Sequence, residues 1–307
     1  MSDIVITEFM DEAAIENHFA GCDVLYDPKL VDDPVRLQAT LADARALIVR
    51  NRTQVRPALL AHAPKLQVVG RLGVGLDNID VDACRARSIA VFPATGANDL
   101  SVAEYVITAA LVLLRRAWFA SDAVAAGQWP RTQLMGRELS GKRLGLVGYG
   151  AIARETAARA RALGMTIAAY DPYLPADSTL WNDAERATLE ALLATSDVVS
   201  LHVPLTNDTR NIIDARALGR MKKDAILVNA ARGGVVDEQA LADALKAGRL
   251  GGAALDVFEK EPLDATAGAK FAGIANLILT PHIAGVTEES NVRVSAVTAA
   301  AVRRALA

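Results

Sequence analysis

Arg143-Leu-Gly-Leu-Val-Gly-Tyr-Gly-Ala-Ile-Ala153 is the stretch that decides the fold. Residues 144–147 form a short apolar run, as expected of a strand buried on both faces. The run passes directly into Gly148-Tyr-Gly-Ala-Ile-Ala153, the Ala-tolerant form of the Gly-x-Gly-x-x-Gly dinucleotide fingerprint. Gly148 permits the tight turn off the strand, Gly150 allows the backbone to approach a pyrophosphate, and Ala153 keeps the helix close to the sheet. That helix should offer its unpaired N-terminal amides and positive dipole end to phosphates. It should end near Leu163, with Gly164 just beyond. A second apolar run, 165–170, ends at Asp171, 21 positions after Gly150. A carboxylate there suits two ribose hydroxyls and repels a 2′-phosphate, so NAD is expected rather than NADP.

Working outward, 307 residues are a prior for two domains with room for sizeable cores. With 52% hydrophobic and 22% charged residues and a net charge of −3, nothing points to a nucleic-acid partner. The two cysteines, Cys22 and Cys84, give no disulfide framework, and no metal-ligand cluster is expected. The most apolar run, 107–114, is too short to span a bilayer. The N-terminal stretch carries Asp3 and Glu8 and lacks a basic-then-apolar signal pattern, so a cytoplasmic location is the expectation.

The first hundred residues alternate strand and helix. Strands are predicted at 4–6, 24–26, 46–49, 67–69 and 89–91, and helices at 11–20, 34–44, 57–62 and 81–87. Asp33 is a predicted N-cap, and Pro34 and Pro57 suit a first helical turn. After the fourth strand, Gly73 and Gly75 make a loop whose amides can face an anion or merely turn the chain. Residues 95–99 read as a hinge, and Ser101 as the cap of a long helix over 102–116. That helix is apolar round much of its girth, which predicts burial in a core or against a second copy, and a homodimer through 101–116 is the expectation. Beyond Asp171, strands are predicted at 197–203, 225–229, 252–257 and 277–280, and helices at 188–194, 237–247 and 287–306. The last helix has the length to fold back on the first unit.

In open parallel sheets ligands bind outside the carboxyl ends of the strands. Arg232, Asp256 and His282 each lie just past such an end, and Glu261 lies five residues after Asp256. A carboxylate-backed histidine suits proton transfer to or from an alcohol near neutral pH. An arginine fork suits a substrate carboxylate. Of the four histidines, His18 and His62 fall in helices of the first unit, and His202 ends a strand as a cofactor-wall candidate. Taken singly, each of these residues also has an ordinary structural role open to it.

Together with Gly70-Arg-Leu-Gly-Val-Gly-Leu-Asp-Asn-Ile79, Ser101-Val-Ala-Glu104, Ser200-Leu-His-Val-Pro-Leu-Thr206, Asn229-Ala-Ala-Arg-Gly-Gly-Val-Val-Asp237, Ala254-Leu-Asp-Val-Phe-Glu-Lys-Glu-Pro262 and Thr280-Pro-His-Ile-Ala-Gly285, the chain resembles the D-2-hydroxyacid dehydrogenase family, in its 3-phosphoglycerate dehydrogenase-like branch. The resemblance implies an α/β fold of two Rossmann-like domains. One is a flavodoxin-like substrate domain split in sequence, 1–98 plus 286–307; the other is a parallel-sheet NAD-binding domain, 99–285. It implies NAD-dependent interconversion of a small 2-hydroxy acid and its 2-keto acid. Arg232 would bind the carboxylate, helped by the amides of Val74 and Gly75, and Glu261 would partner His282 as general acid/base. Cofactor contacts are expected from Gly148, Tyr149, Gly150, Ala151, Ile152, Asp171, His202, Val203, Pro204, Thr209, Ala230, Ala231, Arg232, Asp256, His282 and Gly285. Ala151 stands where a basic residue is often found, so one phosphate contact is expected to be missing. Arg50, Arg52 and Arg71 flank strand ends and suit a second anionic group, which makes 3-sulfolactate the first substrate choice, ahead of 3-phosphoglycerate or a dicarboxylate. The rival reading is an NAD-sensing, non-catalytic corepressor of the same fold.

Overall fold

The computed structural model describes residues 2–116 and 120–307. The chain divides into two compact units, Met1–Asn98 with Val286–Ala307, and Asp99–Gly285. No helix among the described residues is long and apolar enough to cross a membrane.

The first unit alternates β1 (Ile4–Ile6), α1 (Glu12–Phe19), β2 (Val24–Tyr26), α2 (Pro34–Thr40), β3 (Ala46–Val49), α3 (Pro57–Leu60), β4 (Val68–Arg71), α4 (Val81–Ala86) and β5 (Ala90–Pro93). Its sheet runs in the order β2-β1-β3-β4-β5, with every pairing parallel. This is the flavodoxin-like order of a doubly wound sheet. β1 and β3 are buried throughout, as expected of strands with helices on both faces. Asp33 caps α2 by accepting from the Arg36 amide, and Pro34 opens the helix.

The second unit contains α5 (Asp99–Arg115), α6 (Ser121–Ala125), β6 (Arg143–Val147), α7 (Ala151–Ala162), β7 (Thr166–Tyr170), β8 (Glu185–Arg186), α8 (Leu189–Thr195), β9 (Val198–Leu201), α9 (Ala215–Arg220), β10 (Ile226–Asn229), α10 (Glu238–Lys246), β11 (Gly252–Leu255), α11 (Ala265–Gly268) and β12 (Leu277–Leu279). Its seven strands are ordered β12-β11-β10-β9-β6-β7-β8, all parallel. The chain reverses its direction of travel across the sheet between β6 and β9, the kind of switch point where open sheets bind ligands. α7 ends as anticipated, with Leu163 at its C-cap and Gly164 in the left-handed region at φ +83°.

The last helix, α12 (Glu288–Leu306), belongs to the first unit. Thr287 and Ser290 close its N-terminus with a reciprocal capping box. It lies so close to β4 that a Cβ on Gly70 would stand 2.7 Å from the Val302 side chain and 2.8 Å from that of Thr298. Glycine is therefore needed at 70 for close approach, not for turning.

One expectation for the long helix needs correction. α5 begins at Asp99, so Ser101 lies inside it, buried, and is not its cap. The Asp99 carboxylate in the first turn meets the positive end of the helix dipole and makes the earlier start favourable. The apolar girth is also accounted for within the chain. Val106, Ala110, Leu113 and Leu114 share a core with Leu144, Ile226, Val228 and Ala254 of the sheet and Ala153 and Ala157 of α7. Buried in its own unit, this face does not require a second copy. The edge strand β8 escaped the sequence reading because two exposed polar residues carry no periodicity. The short helices α6, α9 and α11 escaped it as well, being too brief to show a 3.6-residue pattern.

Candidate active site

Parallel strands deliver their following loops to one edge. Asn229, Leu255 and Leu279 are neighbours in register at the ends of β10, β11 and β12. Arg232, Asp256 and His282 follow those ends immediately. Along the same edge, β9 leads to His202, β6 to the glycine loop and β7 to Asp171.

At the glycine loop the fingerprint residues have distinct roles. Gly148 is at φ +89°, and a Cβ there would stand 2.7 Å from the carbonyl oxygen of His202. A Cβ on Gly150 would meet nothing within 4 Å, so the face above it is open to a pyrophosphate. Gly150 is the N-cap of α7 and brings no side chain to the first-turn amides of Ala151, Ile152 and Ala153. These residues fit a dinucleotide. The Tyr149 side chain turns inward and stacks on Trp181 at 5.6 Å, and its amide donates to Asp171 at 2.9 Å. The other Asp171 oxygen accepts from the amides of Tyr173 and Leu174. Asp171 thus ties the glycine loop to the end of β7. It also borders a cavity of about 590 Å³ lined by Pro172, Arg186, Thr188 and Glu190 among others. Arg154, one turn into α7, seats its guanidinium against the loop by donating to the Tyr149 carbonyl at 3.1 Å. The sequence reading passed over it because it lies outside the fingerprint.

His202 bonds through Nε2 to Ser200 at 2.9 Å, and burial pushes its pKa down to about 4, so the ring is neutral at ordinary pH. It stands beside Val203 and Pro204. The Thr209 hydroxyl donates to the Pro204 carbonyl at 2.6 Å and so closes the turn that follows. At the end of β10, Asn229 accepts from the Ala231 amide and donates to the Arg232 carbonyl, which folds Ala230, Ala231 and Arg232 into a tight turn. A Cβ on Gly233 would lie 1.8 Å from the Phe258 carbonyl oxygen. Only glycine lets this turn lie against the Phe258–Glu261 segment.

That contact brings the three catalytic candidates into one neighbourhood. Glu261 accepts from the Phe258 amide at 3.0 Å on one oxygen and meets Nδ1 of His282 at 2.7 Å on the other. A carboxylate only accepts, so Nδ1 carries the hydrogen and Nε2 is the nitrogen available for proton exchange. The His282 side chain is 47% exposed, so the ring remains accessible. Burial favours protonation of Glu261, but the bonds to His282 and Phe258 and the charge of Arg232 outweigh it, and the carboxyl stays below its ordinary range. Arg232 is therefore within electrostatic reach of the pair. Asp256 is 1% exposed and holds the histidine loop, accepting from the amides of Ile283 and Ala284 and from Thr280. That loop runs on to Gly285, where the unit ends.

In the other unit, a second constellation gathers at the ends of β1, β3 and β4. Glu8, 4% exposed, accepts from four consecutive amides: Arg50 and Thr53 on one oxygen, Asn51 and Arg52 on the other, at 2.9–3.2 Å. Buried Asn78 donates to the carbonyls of Arg50 and Thr53. The loop presenting Arg50 and Arg52 is thereby clamped from both sides. Arg50 reaches Asn291 at 2.6 Å, and Arg52 forks onto the exposed Asp32. Arg71 folds back to donate to the Leu72 carbonyl. Beside it, the amides of Val74 and Gly75 have no hydrogen-bond partner among the described residues. The sequence holds no signal for Glu8, which belongs to no periodic or motif position, and Asn78, although inside the Gly70–Ile79 stretch, shows no role there until its partners are seen.

Residues 107–284 match the model of the D-isomer specific 2-hydroxyacid dehydrogenase family, NAD binding domain. Along its full length the chain is 57% identical to the (S)-sulfolactate dehydrogenase of Chromohalobacter salexigens, covering 99% of that protein. It is 41% identical over 254 residues to the D-3-phosphoglycerate dehydrogenase of Archaeoglobus fulgidus, of which it spans about half (48%). Among solved structures, the Aquifex aeolicus D-lactate dehydrogenase complexed with NAD and lactic acid superposes with a TM-score of 0.86 at 30% identity, over 97% of this chain and 94% of that one. The chain belongs to the D-isomer specific 2-hydroxyacid dehydrogenase family. It is an NAD-dependent oxidoreductase acting on a 2-hydroxy acid or its 2-keto counterpart.

The Glu8 clamp has a signed pH consequence. Burial alone would raise its pKa, but the amides of Thr53, Arg52 and Arg50 outweigh burial and lower it from 4.5. A carboxyl lowered on folding adds stability that is complete above its unfolded value and disappears as pH falls through the folded one. Glu8→Gln should lose roughly 1–3 kcal/mol at neutral pH, because Gln leaves buried amides unpaired. Urea unfolding should show that gap narrowing below the ordinary glutamate range; a gap independent of pH would contradict the clamp.

Proposed function

We propose that the physiological substrate is (S)-3-sulfolactate, oxidised to 3-sulfopyruvate with NAD. The full-length 57% identity to an (S)-sulfolactate dehydrogenase carries this reading. The clamped arginine loop supports it, because a sulfonate is a permanent anion that a guanidinium fork recognises well. Stereochemistry is consistent with it. Sulfur at C3 outranks the carboxylate in the naming priorities, so the (S) label of sulfolactate denotes the same spatial arrangement as D-lactate. A D-specific family and an (S) substrate therefore agree.

In this proposal Arg232 and the amides of Val74 and Gly75 hold the substrate carboxylate, while Arg50 and Arg52 take the sulfonate. Bound NAD supplies the hydride acceptor. His282 Nε2 takes the hydroxyl proton as the C2 hydrogen departs with its electron pair and the C2–O bond becomes a carbonyl. Glu261 holds the ring through Nδ1 and stabilises the imidazolium that forms. In the reverse direction the imidazolium returns the proton to the alkoxide. For Arg52 this requires exchanging exposed Asp32 for the substrate, and such surface pairs are weak.

A panel of 2-hydroxy acids with NAD tests the substrate. (S)-3-Sulfolactate should give the highest kcat/KM, and its (R) isomer none. Arg50→Ala with Arg52→Ala should lower kcat/KM on sulfolactate roughly 10- to 100-fold, as loss of a charge-assisted contact predicts, and leave D-lactate almost untouched. Preference of the parent for D-lactate or D-glycerate would end this assignment.

For the cofactor, the proposed contacts are the loop Gly148–Ala153, the Asp171 carboxylate on the ribose, and the walls at His202–Pro204 and Ala230–Arg232. Arg154 supplies the positive charge that Ala151 lacks, since it already lies against the loop. NADH titrations should find Arg154→Ala several-fold weaker, by the 0.5–1.5 kcal/mol, or roughly 2- to 12-fold, of one modest polar contact. Asp171→Ala should narrow the preference for NAD over NADP, with Arg186 lining the same cavity. An unchanged preference would remove Asp171 from cofactor choice.

For assembly we propose a cytoplasmic homodimer, supported by unpaired Cys22 and Cys84 and by exposed Leu100, Val124, Trp129 and Met135 around α5 and α6. Light scattering should report twice the 32.4 kDa chain mass; a monomer at micromolar concentration would refute it.

A further inference from the structure

His282 occupies a backbone conformation that its own sequence does not favour, φ +56°. The neighbours Pro281 and Ile283 are exposed, so apolar burial does not hold the segment in place. Hydrogen bonds do, most of them to Asp256; the His282 amide also reaches the Thr280 carbonyl at 3.0 Å. The Asp256 carbonyl accepts the His282 amide at 2.8 Å, and its carboxylate takes the amides of Ile283 and Ala284, also at 2.8 Å. The same carboxylate accepts the Thr280 hydroxyl at 2.6 Å.

The chain of contacts continues one residue further. Tyr105, on α5, lies 2.6 Å from the Thr280 hydroxyl oxygen. Thr280 has one hydrogen to give and gives it to Asp256, so the Tyr105 hydroxyl must be the donor. Its helix is fixed in the core of the unit by Val106, Ala109 and Ala110. The donor order Tyr105→Thr280→Asp256 is thus set by the donor and acceptor chemistry, and the amides of the histidine loop donate to the same carboxylate. Hydrogen bonds in such a series polarise one another, so the last member feels the first.

We propose that Tyr105 is a positioning residue for His282, acting through Thr280 and Asp256 to fix the angle at which the imidazole presents Nε2 while Glu261 holds Nδ1. The inference rests on the reading of His282 as the acid/base. Burial raises the Tyr105 phenol to about 12, which keeps it a donor across the working range of the enzyme. Neither Tyr105 nor Thr280 needs to touch substrate for this role.

Tyr105→Phe removes one oxygen and keeps the ring in the core. Relative to parent, it should lower kcat roughly 10- to 100-fold, the size of effect that small misplacement of a reacting group produces. NADH affinity and the thermal midpoint should stay near parental values. Thr280→Val should match it, Thr280→Ser should largely restore turnover, and Tyr105→Phe with Thr280→Val should be no worse than Thr280→Val alone. An NMR titration of the His282 imidazole, one of only four histidines, should move in Tyr105→Phe without any substrate present. Independent losses that multiply, a parental kcat and titration in Tyr105→Phe, or losses that merely follow NADH affinity and melting would each overturn the proposal. His282→Asn separates the two ideas. If it retains turnover, the acid/base reading itself fails; if it abolishes turnover while Tyr105→Phe does not alter it, only the positioning role fails.

Discussion

Parallel pairing sends every strand of a sheet toward the same edge, and the candidate site is a consequence of that constraint. β10, β11 and β12 pair in register, so Arg232, Asp256 and His282 emerge side by side although fifty residues separate the first from the last. The remaining adjustment is made by a glycine and an acid. Gly233 permits backbone contact with Phe258, and Glu261 then spans the short distance to the imidazole. A left-handed histidine costs roughly 1–3 kcal/mol, which the Asp256 hydrogen bonds offset locally. Strain in the segment Thr280 to Ala284 is therefore compensated from Asp256, at the end of the neighbouring strand.

The two units solve one problem with similar means. In each, a buried carboxylate receives consecutive backbone amides and so fixes a loop that follows a strand. Asp256 fixes the histidine loop, and Glu8 fixes the loop carrying Arg50 and Arg52. Both acids are almost fully enclosed and fully hydrogen-bonded, the condition under which a buried charge stabilises rather than disrupts. In both loops the chemistry is carried by exposed or half-exposed side chains on a backbone that does not need apolar packing to hold its shape.

Much of this was legible in the amino-acid sequence, for reasons that can be stated. Most strands of both sheets are short runs of Val, Ile, Leu and Ala, and α2 announces itself through the Asp33 cap, whereas Asp237 and Thr287, read as first residues of their helices, are the caps of α10 and α12. The glycines of the dinucleotide loop were readable because each answers a backbone requirement. The start of α5 was misread because Ser101 looks like a cap, whereas Asp99 had already begun the helix. The stacking of Tyr149 on Trp181 is a contact that no local pattern encodes. Glu8, Asn78 and Tyr105 carry no such signal in the sequence because their partners lie on strands or loops distant in sequence, and a single polar side chain has no periodicity; Arg154 bonds locally but lies outside the fingerprint.

The Glu8 clamp limits how the first unit can recognise an anion. Four successive amides that in other loops would cradle a phosphate are already turned toward a resident carboxylate, so the main chain of 50–53 is closed to an incoming acid. Selectivity at that loop is left to side chains alone. A protein built this way can exchange one acidic substrate for another by replacing Arg50 or Arg52, with the underlying frame undisturbed, which offers divergence a short route and protein engineers a small, well-bounded target.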